Sequence, residues 1–222
     1  MNDQRAGEEG QLVRRILEDL AWRQIAAINI LGHCLKHVRD LDTKLRMATE
    51  LDLSLRLFRE SRELHRQLGW EDLERAVRDH EERIPYPQSR LEFGVAFHVL
   101  GVAEKVAMQS YVESTFADFA ALARTYVDAA QGRPEPNRFV EYASDPTNRP
   151  QAQQFLNRWV EIALESFGSP GSPGDRRAVE LGLRSRSGAE MRGAFLAEIE
   201  SFVHRCGLVL PAATSQPPAA GA

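Results

Sequence analysis

Apolar residues recur along most of this chain at the three-to-four-residue spacing of an amphipathic helix, and no stretch alternates long enough to predict a strand. Leu12, Ile16, Leu20, Ile25, Ile28 and Leu35 predict a first helix over about 11–38. A second starts after Asp40 and Asp42, acids suited to a helix N-terminus, and carries Leu45, Ala48, Leu51, Leu55, Phe58, Leu64 and Leu68 to a stop at Gly69. Residues 70–83 predict a shorter charged helix, closed by Ile84-Pro85-Tyr86-Pro87. A long, bent helix follows over about 89–130, its first half almost wholly apolar, which places it at the centre of a bundle. Pro134 and Pro136 break the pattern. Short helices are predicted over 138–143, 150–167 (opened by Pro150), 175–185 and 189–206, the last ended by Gly207. The fold class is all-α, a helical bundle with additional short helices.

Composition narrows this only a little. The 222 residues suit one domain with a real core, at 43% hydrophobic and 27% charged. A formal charge of −4 and a pI near 5.9 give no overall basic field for nucleic acid. The longest apolar stretch, 94–112, contains His98, Glu104, Lys105 and Gln109, so it reads as a buried bundle helix rather than a membrane span. The polar residues 1–10 lack a signal-peptide core and are expected to be disordered, as is the Pro/Ala/Gly-rich tail 212–222. The helical domain is then 11–211. Cys34 and Cys206 read as buried free thiols of a reducing cytosol, so the expected location is cytoplasmic.

The motifs that carry most information lie late in the chain. Gln153-Gln154-Phe155-Leu156-Asn157-Arg158-Trp159 leads through Ala163-Leu164 to Phe167-Gly168. After a variable loop come Arg184-Ser185-Arg186-Ser187, Glu190-Met191-Arg192, Phe195 and Gly207-Leu208-Val209-Leu210-Pro211. This order and spacing resembles the C-terminal half of the catalytic subunit of phenylacetyl-CoA epoxidase, in the phenylacetate-catabolism family. The resemblance covers about 20–211 and is strongest over 150–211. It implies a ferritin-like bundle with a non-haem diiron site that epoxidises the ring of an aromatic acyl-CoA with O₂. It also implies an assembly in which the diiron subunit pairs with a related, metal-free structural subunit.

A diiron site of that kind takes two Glu-x-x-His pairs and two further carboxylates facing inward. No Glu-x-x-His or Asp-x-x-His occurs anywhere in this sequence. Aligned on Leu68-Gly69 and Lys44, the resemblance puts the first pair at Ser54 and Leu57; aligned on Gly101, it puts a carboxylate at Leu100. The second pair falls at Gln131 and Pro134, and the first-helix carboxylate near Gly32. Serine, leucine and proline cannot serve as carboxylate or imidazole ligands to iron.

Few other residues offer chemistry. His33 and His37 are four apart on the first helix and, with Glu50, make a candidate substitute metal site, although Arg39, Asp40, Asp42 and Lys44 also explain a solvated, salt-bridged helix end. Glu104 interrupts the most apolar helix, so it must be paired, neutral or functional; Lys105 and Arg158 are the candidate partners. With His98 it could line a pocket. Arg176, Arg177, Arg184 and Arg186 form a basic cluster beside the Gly168–Gly174 loop, which lacks the Lys-Ser/Thr of a phosphate loop. No nucleophile elbow is present, and neither cysteine has an electropositive, exposed setting. The reading is a non-catalytic, metal-free, cofactor-free ferritin-like homologue acting as a structural or partner subunit. It would form a homodimer or pair with a related ferritin-like subunit, with no nucleic-acid or membrane partner. The alternative is an oxygenase-family enzyme with a remodelled site, or an acyl-CoA or small-aromatic pocket in the emptied bundle.

Overall fold

Asp40 separates the first two helices by chemistry that its neighbours cannot supply. Its carboxylate accepts from the Thr43 backbone N–H at 2.9 Å, capping a helix over Leu41–Gln67 (α2) after the first, Asn2–Cys34 (α1), has ended in a single 3₁₀ turn at Leu35–His37. This computed structural model describes residues 2–70, 72–78 and 85–211, with side chains described from residue 7. The first helix begins at Asn2, so residues 2–10 are helical where disorder was expected, and the tail 212–222 lies outside the described residues. Gly69 ends α2 with φ +77°, a left-handed conformation that a side chain would strain.

The charged segment after Trp70 contributes Leu73–Val77 (α3), and residues 71 and 79–83 of that expected helix lie outside the described residues. Ser89 caps Arg90–Gln109 (α4) by accepting from the Glu92 N–H at 3.1 Å. The long helix expected over 89–130 is two helices, α4 and Ala117–Ala130 (α5). The break is stitched elsewhere: the fully buried Ser110 accepts from the Ser185 N–H at 2.8 Å through its carbonyl and from the Arg186 N–H through its hydroxyl, while the Thr115 N–H donates to the Gly182 carbonyl at 2.9 Å. Backbone groups released from the helix ladder are satisfied by a distant loop, which periodicity cannot reveal. Asn137–Ser144 (α6), Arg149–Glu165 (α7), Pro173–Glu180 (α8) and Gly188–Arg205 (α9) complete the chain, the last opened by a reciprocal capping box between Ser187 and Glu190.

The fold is all-α, and no strand occurs among the described residues. The first helix packs along α2, α5 bridges α2 to α4, and α4 also packs against α6, α7 and α9. Two main apolar clusters result. One joins α4, α6, α7 and α9 around the fully buried Phe139, Trp159, Phe195 and Phe202. The other joins α1, α2 and α5 around Leu17, Leu57, Phe119 and Leu122. Burial of each such side chain contributes roughly 1.5–3 kcal/mol, so packing rather than any polar contact holds the bundle. No helix among the described residues is long and apolar enough to cross a membrane.

Candidate functional site

Between the two clusters the interior is not apolar. On α1 the buried stripe Leu17, Leu20, Leu31 is interrupted by Gln24, only 2% exposed. Gln24 Nε2 donates to Glu104 Oε1 at 3.2 Å, and Arg23 donates to Glu104 Oε2 at 3.2 Å and to the Ser166 carbonyl at 2.8 Å. One carboxylate thus ties α1 to α4, and the same guanidinium reaches the end of α7. Burial works against the Arg23 charge, but Glu104 and Asp19 more than offset it, and its pKa lies above the ordinary value.

A second guanidinium–carboxylate pair closes the other side. Arg133 belongs to the loop between α5 and α6, which lies against α4 where Gly94 and Gly101 leave room: a Cβ on Gly94 would sit 3.3 Å from Pro136 Cβ, and one on Gly101 3.6 Å from Arg133 Nη1. Arg133 donates to Glu50 through Nε at 2.9 Å and Nη2 at 2.6 Å, the bidentate fork, and through Nη1 to the Tyr126 hydroxyl at 2.9 Å. It also lies 5.0 Å from the Tyr126 ring centroid. Burial pushes the Tyr126 phenol well above its ordinary pKa despite the opposing pull of Arg133.

The two pairs flank a cavity of about 90 Å³ lined by Ser54, Leu100, Glu50, Glu104 and Tyr126 among others. That is smaller than the roughly 150 Å³ of an engineered cavity that admits benzene. That volume has room for a few waters but not for an aromatic ring or an acyl chain. Glu50, Phe97, Gly101 and Arg133 also line a neighbouring cleft of about 770 Å³, so the Arg133–Glu50 pair stands between cleft and interior.

The residues expected to mark a metal centre disperse. Ser54 and Leu100 do meet at the interior cavity, whereas Leu57 is fully buried in the apolar cluster with Leu17. Gly32 is exposed on α1, and Gln131 and Pro134 are exposed in the loop that carries Arg133. Of the substitute set, His33 stacks on Tyr86 at 4.8 Å between ring centroids and stands edge-on to His37, while Glu50 is held by Arg133. Among the described residues no three His, Cys, Asp or Glu side chains converge as metal ligands. The interior donor set, two carboxylates each occupied at both oxygens by side-chain N–H groups, does not fit a diiron centre.

Glu104 is ion-paired, but with Arg23 rather than either expected partner: Lys105 pairs with Glu198, and Arg158 donates to the buried Glu92 at 3.1 Å. His98 lines the cleft and packs on Phe202 at 4.3 Å between centroids, and burial lowers its pKa. In the basic cluster Arg184 is bound to the buried Asp175, which also accepts from Gly171 and Gly188 N–H groups at 2.8 Å, an arrangement that staples the loop to the start of α9. Sequence reasoning missed Arg23, Gln24, Tyr126 and Arg133. A polar residue on the apolar stripe of α1 was a readable signal for Gln24; nothing in the pattern of a Gly-Arg-Pro loop signals an arginine that enters a bundle. No protein-family model matches this chain, and no curated protein matches it.

Proposed function

We propose that this chain is a metal-free, non-catalytic relative of the ferritin-like phenylacetyl-CoA epoxidase family and acts as a structural or partner subunit. The observation that carries the reading is the closure of the two carboxylates that line the interior cavity, Glu50 and Glu104, by the guanidinium groups of Arg133 and Arg23. A positive charge is needed wherever two carboxylates share a bundle interior, because isolated buried charges are costly. In a diiron bundle the metal supplies it; here covalently attached cations do. Two of the six positions where the resemblance puts ligands support the same reading, since Ser54 and Leu100 line this interior and each lies four residues, one helical turn, from a carboxylate that faces an arginine. The partner on this reading is a second copy or a related ferritin-like subunit.

Metal analysis tests it directly. Protein purified after expression in iron-supplemented medium, and again after anaerobic incubation with ferrous iron and desalting, is expected to retain far less than one iron per chain. A stoichiometric two-iron content, with the optical bands of an oxo-bridged ferric pair, overturns the reading.

A further inference from the structure

The cleft beside the interior has a charge balance unlike that of the whole molecule. The chain is acidic, at −4, yet Arg46, Arg90, Lys105, Arg133 and Arg138 line this cleft against only three acids, Glu50, Glu135 and Glu198. All three acids are already engaged, by Arg133, Arg205 and Lys105 respectively, and Arg90 is taken by Asp40 outside the cleft. Arg46 and Arg138 are left with no carboxylate partner among the described residues; Arg46 reaches only the Thr43 hydroxyl of its own helix, at 3.2 Å. The same cleft has an apolar wall, presented by the partly exposed Phe97 and Val102 and backed by the buried Met47, Phe93, Phe139 and Phe202. Phe93 and Phe97 pack at 5.6 Å between centroids, and His98 covers Phe202 as a largely buried ring with a lowered pKa. Its volume of about 770 Å³ lies within the range of small-molecule sites.

We infer that this cleft binds an amphipathic organic anion, an extended apolar body carrying one carboxylate or phosphate head, with the head at Arg46 and Arg138 and the body along the aromatic lining of α4. Guanidinium groups match either head with paired N–H donors. The apolar lining sets the affinity for the body, and the two uncompensated charges set the sign of the head. Neither arginine belongs to the interior pairs, so the site holds whether or not the chain is a structural subunit. Iron content and ligand binding therefore fail independently.

Isothermal titration calorimetry with the full chain, below the micellar range, distinguishes the outcomes. The probes are dodecanoate, dodecyl phosphate, dodecanol and inorganic phosphate. Dodecanoate or dodecyl phosphate is expected to bind about tenfold or more tightly than dodecanol, with inorganic phosphate alone too weak to detect. The double variant Arg46→Ala/Arg138→Ala, both exposed positions whose loss leaves the core untouched, is expected to lose that advantage while still binding dodecanol as the parent does. A Val102→Asp variant, which puts a carboxylate on the lining, is expected to weaken every dodecyl probe. Equal binding of anion and alcohol, no binding of either anion at millimolar concentration, or an unchanged anion affinity in the double arginine variant overturns the proposal. Circular dichroism and thermal melts of each variant keep the comparison to folded protein.

Discussion

The two sides of α4 solve the same packing problem with different materials. Toward α6, α7 and α9 it meets Trp159, Phe195, Phe139 and Phe202, all at most 1% exposed, in a contact mainly of hydrocarbon on hydrocarbon, with the Arg158–Glu92 pair at the first turn of α4 and Lys105–Glu198 flanking it. Toward α1, α2 and α5 it meets Arg23, Gln24, Glu50, Tyr126 and Arg133 around a small cavity. The dry side gains stability in proportion to the area removed from water. The charged side gains little net, because desolvation of each ion offsets most of its attraction to the partner. What the charged side does supply is uniqueness: Glu104 accepts only where α1 brings Gln24 and Arg23, and Glu50 only where the α5–α6 loop brings Arg133. Stability and register are thus divided between two faces of one helix.

The largest test of this division is Trp159→Ala. Removing a fully buried indole from the dry side is expected to cost about 3–5 kcal/mol, since the loss of transfer energy is compounded by the cavity left behind. Urea unfolding followed by far-ultraviolet circular dichroism reads it as a shift in midpoint at unchanged slope. A cost under about 1 kcal/mol would mean that the dry side is not where stability resides.

The charged side calls for a pair of variants. Arg133→Met leaves Glu50 without its bidentate donor and Tyr126 without its partner, and is expected to destabilise by about 3 kcal/mol, because the loss exposes an uncompensated charge in a largely buried site. Adding Glu50→Met to the same chain is expected to restore most of that stability, since an apolar pair of similar volume avoids both desolvation costs. A double variant no better than the single one would show that the pair stabilises by direct attraction, which would erase the contrast with the dry side.

Much of this architecture is legible from residue pattern alone. Asp40 and Gly69 mark the ends of α2, Gly207 follows the end of α9, and the apolar run after Ser89 identifies α4 as the hub, because each rests on local chemistry that a short window contains. The α4–α5 break does not, because the groups that satisfy Ser110 and Thr115 lie about seventy residues away. The interior pairs fail to show for a related reason. Glu104 is conspicuous as a charge on an apolar helix, and its need for a cation follows at once, but its neighbours in sequence, Lys105 included, turn to other faces. The true partner comes from α1, eighty-one residues earlier, and the second arginine from a loop with no periodicity to place it. Sequence supplies the demand for a counter-charge; tertiary structure supplies its address.

The smallest expected effect uses the two cysteines, each in an apolar setting away from the charged interior: Cys206 in the dry cluster of α4, α7 and α9, and Cys34 at the end of α1 among Ile30, Leu31, Val38 and Met47. Both are free and fully buried. Burial is the main cause that pushes each thiol up to about 11, with Glu92 adding to the rise at Cys34 and Arg205 opposing it at Cys206. At pH 8 the thiolate is then about a hundredfold scarcer than in an unfolded chain, so a disulfide reagent is expected to label the native protein slowly and both thiols at once after denaturation. The sign of the accompanying pH effect is fixed. Between about 9 and about 11 the native state holds protons that the unfolded chain has released, so stability is full below pH 9 and falls as pH rises through that window. Serine at either position keeps the shape and removes the titration, and the alkaline slope should drop by a similar amount for each. A slope that survives both substitutions would assign it to the buried phenols of Tyr111 and Tyr126, whose pKa values burial also raises.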